Sequence, residues 1–447
     1  MRAADLGSRR IAIWGLAREG IAALRFLREH HPALPLTLLD DAADARIPQE
    51  YGNVTAIFGK EGIANALNEI DVVVKSPGVS LYRNDIQSAH NNGVQITSLL
   101  NLWFAEDAAV TTIAVTGTKG KSTTASLIAH ILMRLGWRVA LAGNIGVPVT
   151  EIGNVDYAVI EVSSYQAADF DGICDLAVLT SLYPEHADWH LTVERYVRDK
   201  INLLIRSRRR IVNSDAADAV RSITSWSPSQ DHLFNDESGV HSDDRGIFDG
   251  RHRIGVVRNA YLARAHNRSN LCAALAVAKL LDIDLAAALE ATGDFRGLPH
   301  RQQELGRNGD ILFVDDSIST IPESTLAALA VYAGCDITLI VGGYDRGINY
   351  DKLLKSFSTG AVKAVICLGD SGRRIYDQAQ AVSKTCDHLL CPMHFARSME
   401  EAISYATRVT PPGGVVLLSP AAPSYGYYRD YIERGRDFAA RAGLPAA

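Results

Sequence analysis

The chain lacks paired cysteines. Its six, at 174, 272, 335, 367, 386 and 391, are scattered with no CxxC pair, which argues against a disulfide framework. They read as reduced thiols of a cytoplasmic protein, most of them small core residues. Positive charge is not in excess either. The 45 Lys and Arg stand against 51 Asp and Glu, a formal net charge of −6. This argues against a general polyanion binder, because nonspecific nucleic-acid affinity is built from many Lys/Arg–phosphate contacts. Any nucleotide must be held by local positive sites. No apolar run is long enough to span a bilayer: IAIWGLA (11–17), after arginines 2, 9 and 10, is short and lacks a small-residue cleavage site. It reads as a first strand, neither signal peptide nor membrane insertion. Heptads, low-complexity tracts and short-period repeats are missing as well. The 447 residues of the chain, 47% apolar, have the composition of a globular protein and the length for about three domains.

Three segments each run an apolar strand into a glycine: RRIAIWGLAREG (9–20), TTIAVTGTKG (111–120) and ITLIVGGYDRG (337–347). Strand, tight turn and helix open a βαβ unit, so the recurrence predicts an α/β protein of three domains with mostly parallel sheets. After the second turn, Leu127, Ile128, Ile131, Leu132 and Leu135 share a helical face that Gly136 ends. Further strands are predicted at 156–162, 310–316, 361–369 and 413–420. The turn-rich stretch 227–246 is expected to be a surface hairpin or loop. The expected domains are 1–105, Rossmann-like; 106–300, a central P-loop ATPase-type domain; and 301–447, again Rossmann-like.

The string AVTGTKGKSTT (114–124) is a shortened relative of the Walker A loop, with two residues rather than four between Gly117 and Gly120. Glycines let backbone N–H groups approach phosphate oxygens, and the following helix offers its positive end. Lys121 adds a point charge, and the hydroxyl of Ser122 or Thr123 suits a magnesium ion. A bare glycine turn with incidental lysines is disfavoured by the strand before and the amphipathic helix after.

TGTKGKSTT resembles the ATP loop of the Mur ligases, amide-forming enzymes of peptidoglycan precursor synthesis, and of the related folylpolyglutamate synthetases, in which the short spacing is normal. The resemblance implies ATP contacts from Gly117, Thr118, Lys119, Gly120, Lys121, Ser122 and Thr123. Other matches follow in order along the chain. AGNIG (142–146) carries Asn144, VIEVSSYQ (159–166) carries Glu161, Ser163 and Gln166, and PEHADWH (184–190) carries His186. YVRDKINLL (196–204) carries Lys200, HNRSN (266–270) Asn270, GLPHR (297–301) Arg301 and VDDS (314–317) Asp316. The resemblance implies that two magnesium ions are held by Ser122, Glu161, His186 and Lys200, with Lys200 carbamylated. Lys121, Glu161, His186 and Lys200 are then catalytic, Asn270 lies on the adenine side, and Arg301 and Asp316 on the phosphate and ribose side. His186 and His190 at i, i+4 could mimic a zinc pair, but no third soft ligand accompanies them.

A carboxylate becomes a good electrophile once ATP has phosphorylated it, and positive charge must gather where the two anions meet. In the first domain GLAREG (15–20) is a near-miss of GxGxxG, followed by a strand ending in LLDD (38–41). Alone it fits either a dinucleotide fold or an ordinary βα turn. By resemblance, Gly15, Leu16, Ala17, Asp40, Ser76, Pro77 and Gly78, with Asn144, Ser163 and Gln166, hold UDP-N-acetylmuramoyl-L-alanine. Thr320, Arg346, Ser424 and Tyr431 hold the incoming glutamate. Ile318 stands where D-glutamate-adding members carry lysine, and Gly426 and Tyr427 replace their Asp-Gln pair. Together with LWFAEDA (102–108), this resembles the branch that adds L-glutamate. The implied partners are these small molecules alone, with the protein a monomer. Ligation of D-glutamate, a folylpolyglutamate synthetase-like reaction and a regulatory P-loop protein remain the alternatives.

Overall fold

The computed structural model describes residues 1–42, 52–106, 109–183, 187–227, 229–358, 360, 362–385 and 391–445. The protein is α/β throughout, with three domains each built on its own sheet. In the first, five parallel strands lie in the order Val54–Phe58, Leu36–Asp40, Ile11–Trp14, Val72–Lys75, Gln95–Thr97. Ile11–Trp14 and Val72–Lys75 are buried at every position, as near-continuous apolar strands must be when both faces are covered. The chain reverses direction of spread between these two strands. Their carboxyl ends, carrying Gly15 and Ser76, therefore flank a switch-point crevice.

The central sheet has parallel strands Asp231–Phe234, Ser207–Asn213, Cys174–Leu179, Thr111–Thr116, Tyr157–Glu161 and Val139–Gly143, in that order. Beyond Asp231–Phe234 it continues through Val240–Asp243 into an antiparallel ribbon with Gly246–Asp249 and His252–Gly255. The stretch expected as a surface hairpin or loop is thus partly built into the sheet. Phe234, Val240 and Ile247 are fully buried in the core shared with helices Lys121–Arg134 and Ala265–Leu280. On the first of these helices Leu127, Ile128, Ile131 and Leu132 face inward as the periodicity predicts. The helix stops where Gly136 turns left-handed at φ +91°.

The first two domains make one compact unit, Met1–Phe295, and the third a second, Arg296–Ala447. In the third, parallel strands Ile311–Asp315, Val415–Leu418, Ile337–Gly342, Val362–Leu368 and Met393–Phe395 are joined at one edge by antiparallel Gln303–Asn308. Among the described residues, no helix is long and apolar enough to cross a membrane.

Candidate active site

The loop between strand Thr111–Thr116 and helix Lys121–Arg134 owes its shape to two glycines. Gly117 (φ +148°) and Gly120 (φ +87°) adopt backbone angles that side chains disfavour. Neither has room for a Cβ: one on Gly117 would overlap Thr180 Oγ1, and one on Gly120 would overlap Asn270 Oδ1. The Thr180 hydroxyl donates to the carbonyls of Thr116 and Lys119, and Ser181 Oγ accepts from the Lys119 N–H. Lys121 Nζ donates to the carbonyl oxygens of Gly117 and Thr118 at 2.9 and 3.1 Å. Lys200, on helix Val193–Ile205 and 1% exposed, donates from Nζ to the same Gly117 carbonyl at 2.9 Å. Two ammonium groups therefore converge on the turn beside a helix N-terminus. That arrangement attracts anions, and a triphosphate is the anion such a loop fits.

Glu161 ends strand Tyr157–Glu161, in register with Val115 on the strand that feeds the loop. It is 1% exposed. Asn144 Nδ2 donates to Oε1 at 2.8 Å, while Oε2 has no hydrogen-bond partner among the described residues. A buried carboxylate oxygen left unsatisfied is costly. A hard divalent cation with oxygen ligands resolves it, and Ser122 and Thr123 lie in the first turn of the adjacent helix. The donor set fits magnesium. Among the described residues no three His, Cys, Asp or Glu side chains converge as a metal cluster, so an ion here would lean on hydroxyls and phosphate oxygens as well.

In the first domain the Leu16 N–H donates to Asp40 Oδ2 at 2.8 Å, and Ser76 Oγ to the Gly15 carbonyl at 2.6 Å. Gly15, Leu16, Asp40 and Ser76 thus form one cluster at the carboxyl edge. Ser163 and Gln166 form the capping box of helix Ser164–Ala168. Gln166 Nε2 then donates to Glu19 Oε1 at 2.6 Å, joining the first domain to the second. Burial pushes the Glu19 carboxyl up to about 7, against the opposing pull of Lys75. Lys75 Nζ, fully buried, lies 3.2 Å from Asp169 Oδ2. Trp189 Nε1 donates to the Pro77 carbonyl, Ser80 Oγ to that of Trp189, and the Tyr82 hydroxyl to Asp199. His190 is 0% exposed, with Nδ1 2.6 Å from Asp199 Oδ2 and Nε2 3.0 Å from Ser164 Oγ. Its partners are a carboxylate and a hydroxyl, which accounts for its burial without zinc.

In the third domain Asp316 accepts from Ser319 Oγ, Ser419 Oγ and the Gln302 N–H at 2.6, 2.7 and 3.1 Å. Burial nonetheless raises its carboxyl to about 6, with nearby Arg301 acting the other way. Arg346 Nη2 donates to the Thr320 carbonyl at 3.0 Å, so these two meet. Tyr431 opens helix Tyr431–Arg441 and accepts from Ser317 Oγ through its carbonyl at 2.8 Å.

Family models for the Mur ligase MurD-like N-terminal domain, the Mur ligase middle domain and the Mur ligase glutamate ligase domain match residues 9–98, 115–278 and 300–422. A UDP-N-acetylmuramoyl-L-alanine–L-glutamate ligase of Xanthomonas axonopodis pv. citri is 39% identical over 100% of this chain and 98% of the relative. The chain belongs to the Mur ligase family. A ligase of the same name from Salinispora tropica is 37% identical over 98% of each chain. Among solved structures, the fold matches UDP-N-acetylmuramate–alanine ligase MurC of Thermotoga maritima at a TM-score of 0.60, with 19% identity over 97% of this chain and 99% of that one. It also matches MurF of Acinetobacter baumannii at 0.54, with 15% identity over 94% and 89%.

In this Mur ligase the loop residues, Asn144, Glu161, Lys200 and Asn270 come together around one turn of the central sheet. Asn270 supports Gly120 and Thr124 from helix Ala265–Leu280, with Thr124 Oγ1 donating to its Oδ1 at 3.3 Å. His186 lies outside the described residues. Sequence reasoning passed over Glu19, Asp169 and Asp199, whose partners stand far away in the chain, and Arg434, a buried arginine on the inward face of Tyr431–Arg441 beside Gly435 and Phe438. The signal for Arg434 was present, since positions 434, 435, 438 and 439 form a helical stripe of which one member is charged.

Proposed function

We propose that the protein joins L-glutamate to UDP-N-acetylmuramoyl-L-alanine, consuming ATP and releasing ADP and phosphate through an acyl phosphate. Full-length kinship to ligases named for that product carries the reading. The first domain, 1–105, takes the UDP-substrate through Gly15, Leu16, Ala17, Asp40, Ser76, Pro77 and Gly78. The second, 106–300, takes ATP, and the third, 301–447, takes glutamate through Thr320, Arg346, Ser424 and Tyr431. Backbone N–H groups of the glycine loop and the Lys121 ammonium orient the triphosphate and oppose the charge that builds as the γ-phosphoryl moves to the substrate carboxylate. Asn144 holds one oxygen of Glu161 and leaves the other without a partner among the described residues. Bound magnesium, held by Glu161 and Ser122 with His186 and a carbamylated Lys200 at a second ion, would neutralise charge where carboxylate and phosphate meet. The glutamate amine then attacks the acyl phosphate, a tetrahedral intermediate forms, and phosphate leaves.

We further assign the enzyme to the cytoplasm as a monomer without nucleic-acid partners. The test incubates pure protein with UDP-N-acetylmuramoyl-L-alanine, ATP, magnesium and each glutamate enantiomer, following phosphate release and product mass. Faster turnover with D-glutamate would overturn the stereochemical assignment. With an ¹⁸O-labelled substrate carboxyl, absence of label in the released phosphate would remove the acyl phosphate from the pathway.

A further inference from the structure

One seam between the first two domains is left unused by the proposed reaction. Strand Val72–Lys75 runs into the turn Ser76–Gly78, which that reaction gives to the UDP-substrate, and the chain continues to Tyr82 before helix Asn84–Asn91. The first domain anchors the start of this segment at Ser76. Its N–H donates to the Trp14 carbonyl at 2.8 Å and its Oγ to the Gly15 carbonyl at 2.6 Å. Further along, three donors link the segment to the second domain. Trp189 Nε1 donates to the Pro77 carbonyl at 3.2 Å, and Ser80 Oγ to the Trp189 carbonyl at 2.9 Å. The Tyr82 hydroxyl lies 2.7 and 2.8 Å from the two oxygens of Asp199.

Asp199 makes this seam more than a packing contact. It sits on helix Val193–Ile205 one residue before Lys200, whose Nζ donates to the Gly117 carbonyl of the nucleotide loop at 2.9 Å. The same carboxylate takes His190 Nδ1 at 2.6 Å. The hydroxyl of Tyr82, Asp199, Lys200 and the carbonyl of Gly117 thus form a short path from the substrate turn to the loop. Burial, and then the bond to Asp199, push the Tyr82 phenol upward, so it stays a proton donor at neutral pH. Its ring is fixed edge-on to Trp189 at 5.8 Å, with the Arg195 guanidinium 4.5 Å from its centre. Trp189, 7% exposed, stacks in turn on Tyr165 at 4.7 Å. A phenol held this way donates to an ionised acceptor in a partly buried place, where such bonds are strong.

We propose that Tyr82 is a positioning residue for the ligation: through Asp199 it sets the turn Ser76–Gly78 against the nucleotide loop, with Trp189 bracing the same turn at Pro77. The inference deepens the proposed ligation and rests on it. In that reaction one domain presents a carboxylate and the other a triphosphate, and a misplacement of about 1 Å between reacting groups costs about a hundredfold in rate. A bond that fixes one domain's turn to the other's helix therefore acts on the transfer step. It leaves ATP affinity alone, because the loop's own lysine and glycines are untouched.

Tyr82→Phe removes one oxygen and keeps the ring between Trp189 and Arg195. In the full-length enzyme, kcat/KM for UDP-N-acetylmuramoyl-L-alanine is expected to fall at least about tenfold, the cost of a bond to a charged acceptor. The ATP dissociation constant, read by titration calorimetry, should stay within about threefold of wild type. In an Asp199→Ala background the same substitution should cost less than about twofold, since its partner is already gone. A lower melting temperature with unchanged kinetics, or a loss shared equally by ATP affinity, would leave the seam merely structural and overturn the proposal. An undiminished loss in the Asp199→Ala background would do the same. If that background does not fold, Trp189→Phe keeps a ring against Tyr165 and deletes the bond to Pro77. It should lower the same kcat/KM at least about threefold with ATP affinity unchanged, and an unchanged kcat/KM would overturn the assignment. Wild-type enzyme that forms no product with either glutamate enantiomer would sink the ligase reading and this proposal with it. Wild-type enzyme that works while Tyr82→Phe matches it would sink the proposal alone.

Discussion

Glu161 and Asp316 both stand at the carboxyl end of a parallel strand, both are 1% exposed, and they are furnished in opposite ways. Asp316 is surrounded by three donors from its own domain. Glu161 has Asn144 on one oxygen and nothing from the described residues on the other. A carboxylate whose acceptor sites are filled internally acts first as a joint between loops, here those at 302, 319 and 419. A carboxylate with an empty site keeps capacity for something the chain does not supply. Burial and position at a strand end are thus insufficient to mark a catalytic group. The count of donors separates them.

That contrast can be broken most sharply at Glu161. Glu161→Gln preserves the shape and the bond from Asn144 but removes the charge. We expect product formation to fall by about two to three orders of magnitude, with a melting temperature equal to or above wild type because an unsatisfied buried charge is gone. A variant that melts earlier and retains full activity would make Glu161 a joint like Asp316. Asp316→Asn should behave in the opposite sense. Its amide turns a donor toward Ser319 or Ser419, and unfolding in denaturant should show a loss of about 1–3 kcal/mol.

Gly120→Ala tests whether the loop's shape, rather than its lysines alone, holds nucleotide. With φ at +87° and Asn270 Oδ1 in the way, the loop must shift, and ATP affinity measured by titration calorimetry should drop about tenfold or more, roughly 1.4 kcal/mol. Unchanged affinity would show that the turn tolerates a different path. The smallest effect is expected at Glu19. Its folded pKa of about 7 lies above the value of about 4.3 in an unfolded chain. The associated stability is complete below the unfolded pKa and is lost as pH rises through 7. Glu19→Gln should therefore be close to neutral at pH 4 and stabilising by on the order of 1–2 kcal/mol at pH 8. A difference between wild type and variant that does not change with pH would show that Glu19 is not held in a desolvated state.

The strands and the nucleotide loop were legible because their signals are local. Ile11–Trp14, Thr111–Thr116 and Ile337–Gly342 are apolar runs ended by glycine, and GKST opens a periodic helix. The ties between the first two domains were not legible. Glu19 with Gln166, Lys75 with Asp169 and Tyr82 with Asp199 are pairs separated by many elements, and each member alone reads as an ordinary polar residue. His190 drew attention only as a possible zinc mate of His186, because its true neighbours Asp199 and Ser164 are set by the packing of helices Ser164–Ala168 and Val193–Ile205. The stretch 227–246 reads as a surface hairpin or loop from its turn formers; Val240–Asp243 does turn back on Gly246–Asp249, while Phe234 and Val240, with Ile247 just beyond it, decide that it joins the sheet.

The glycine loop leans on Thr180 and Asn270, residues that leave the ribosome some 60 and 150 positions after it. Local sequence can form the turn, but its final contour waits on a strand end and a helix made much later. Tight nucleotide capture therefore belongs to a finished central domain. A growing chain that has displayed TGTKGKST but not yet residue 270 carries the motif without the grip.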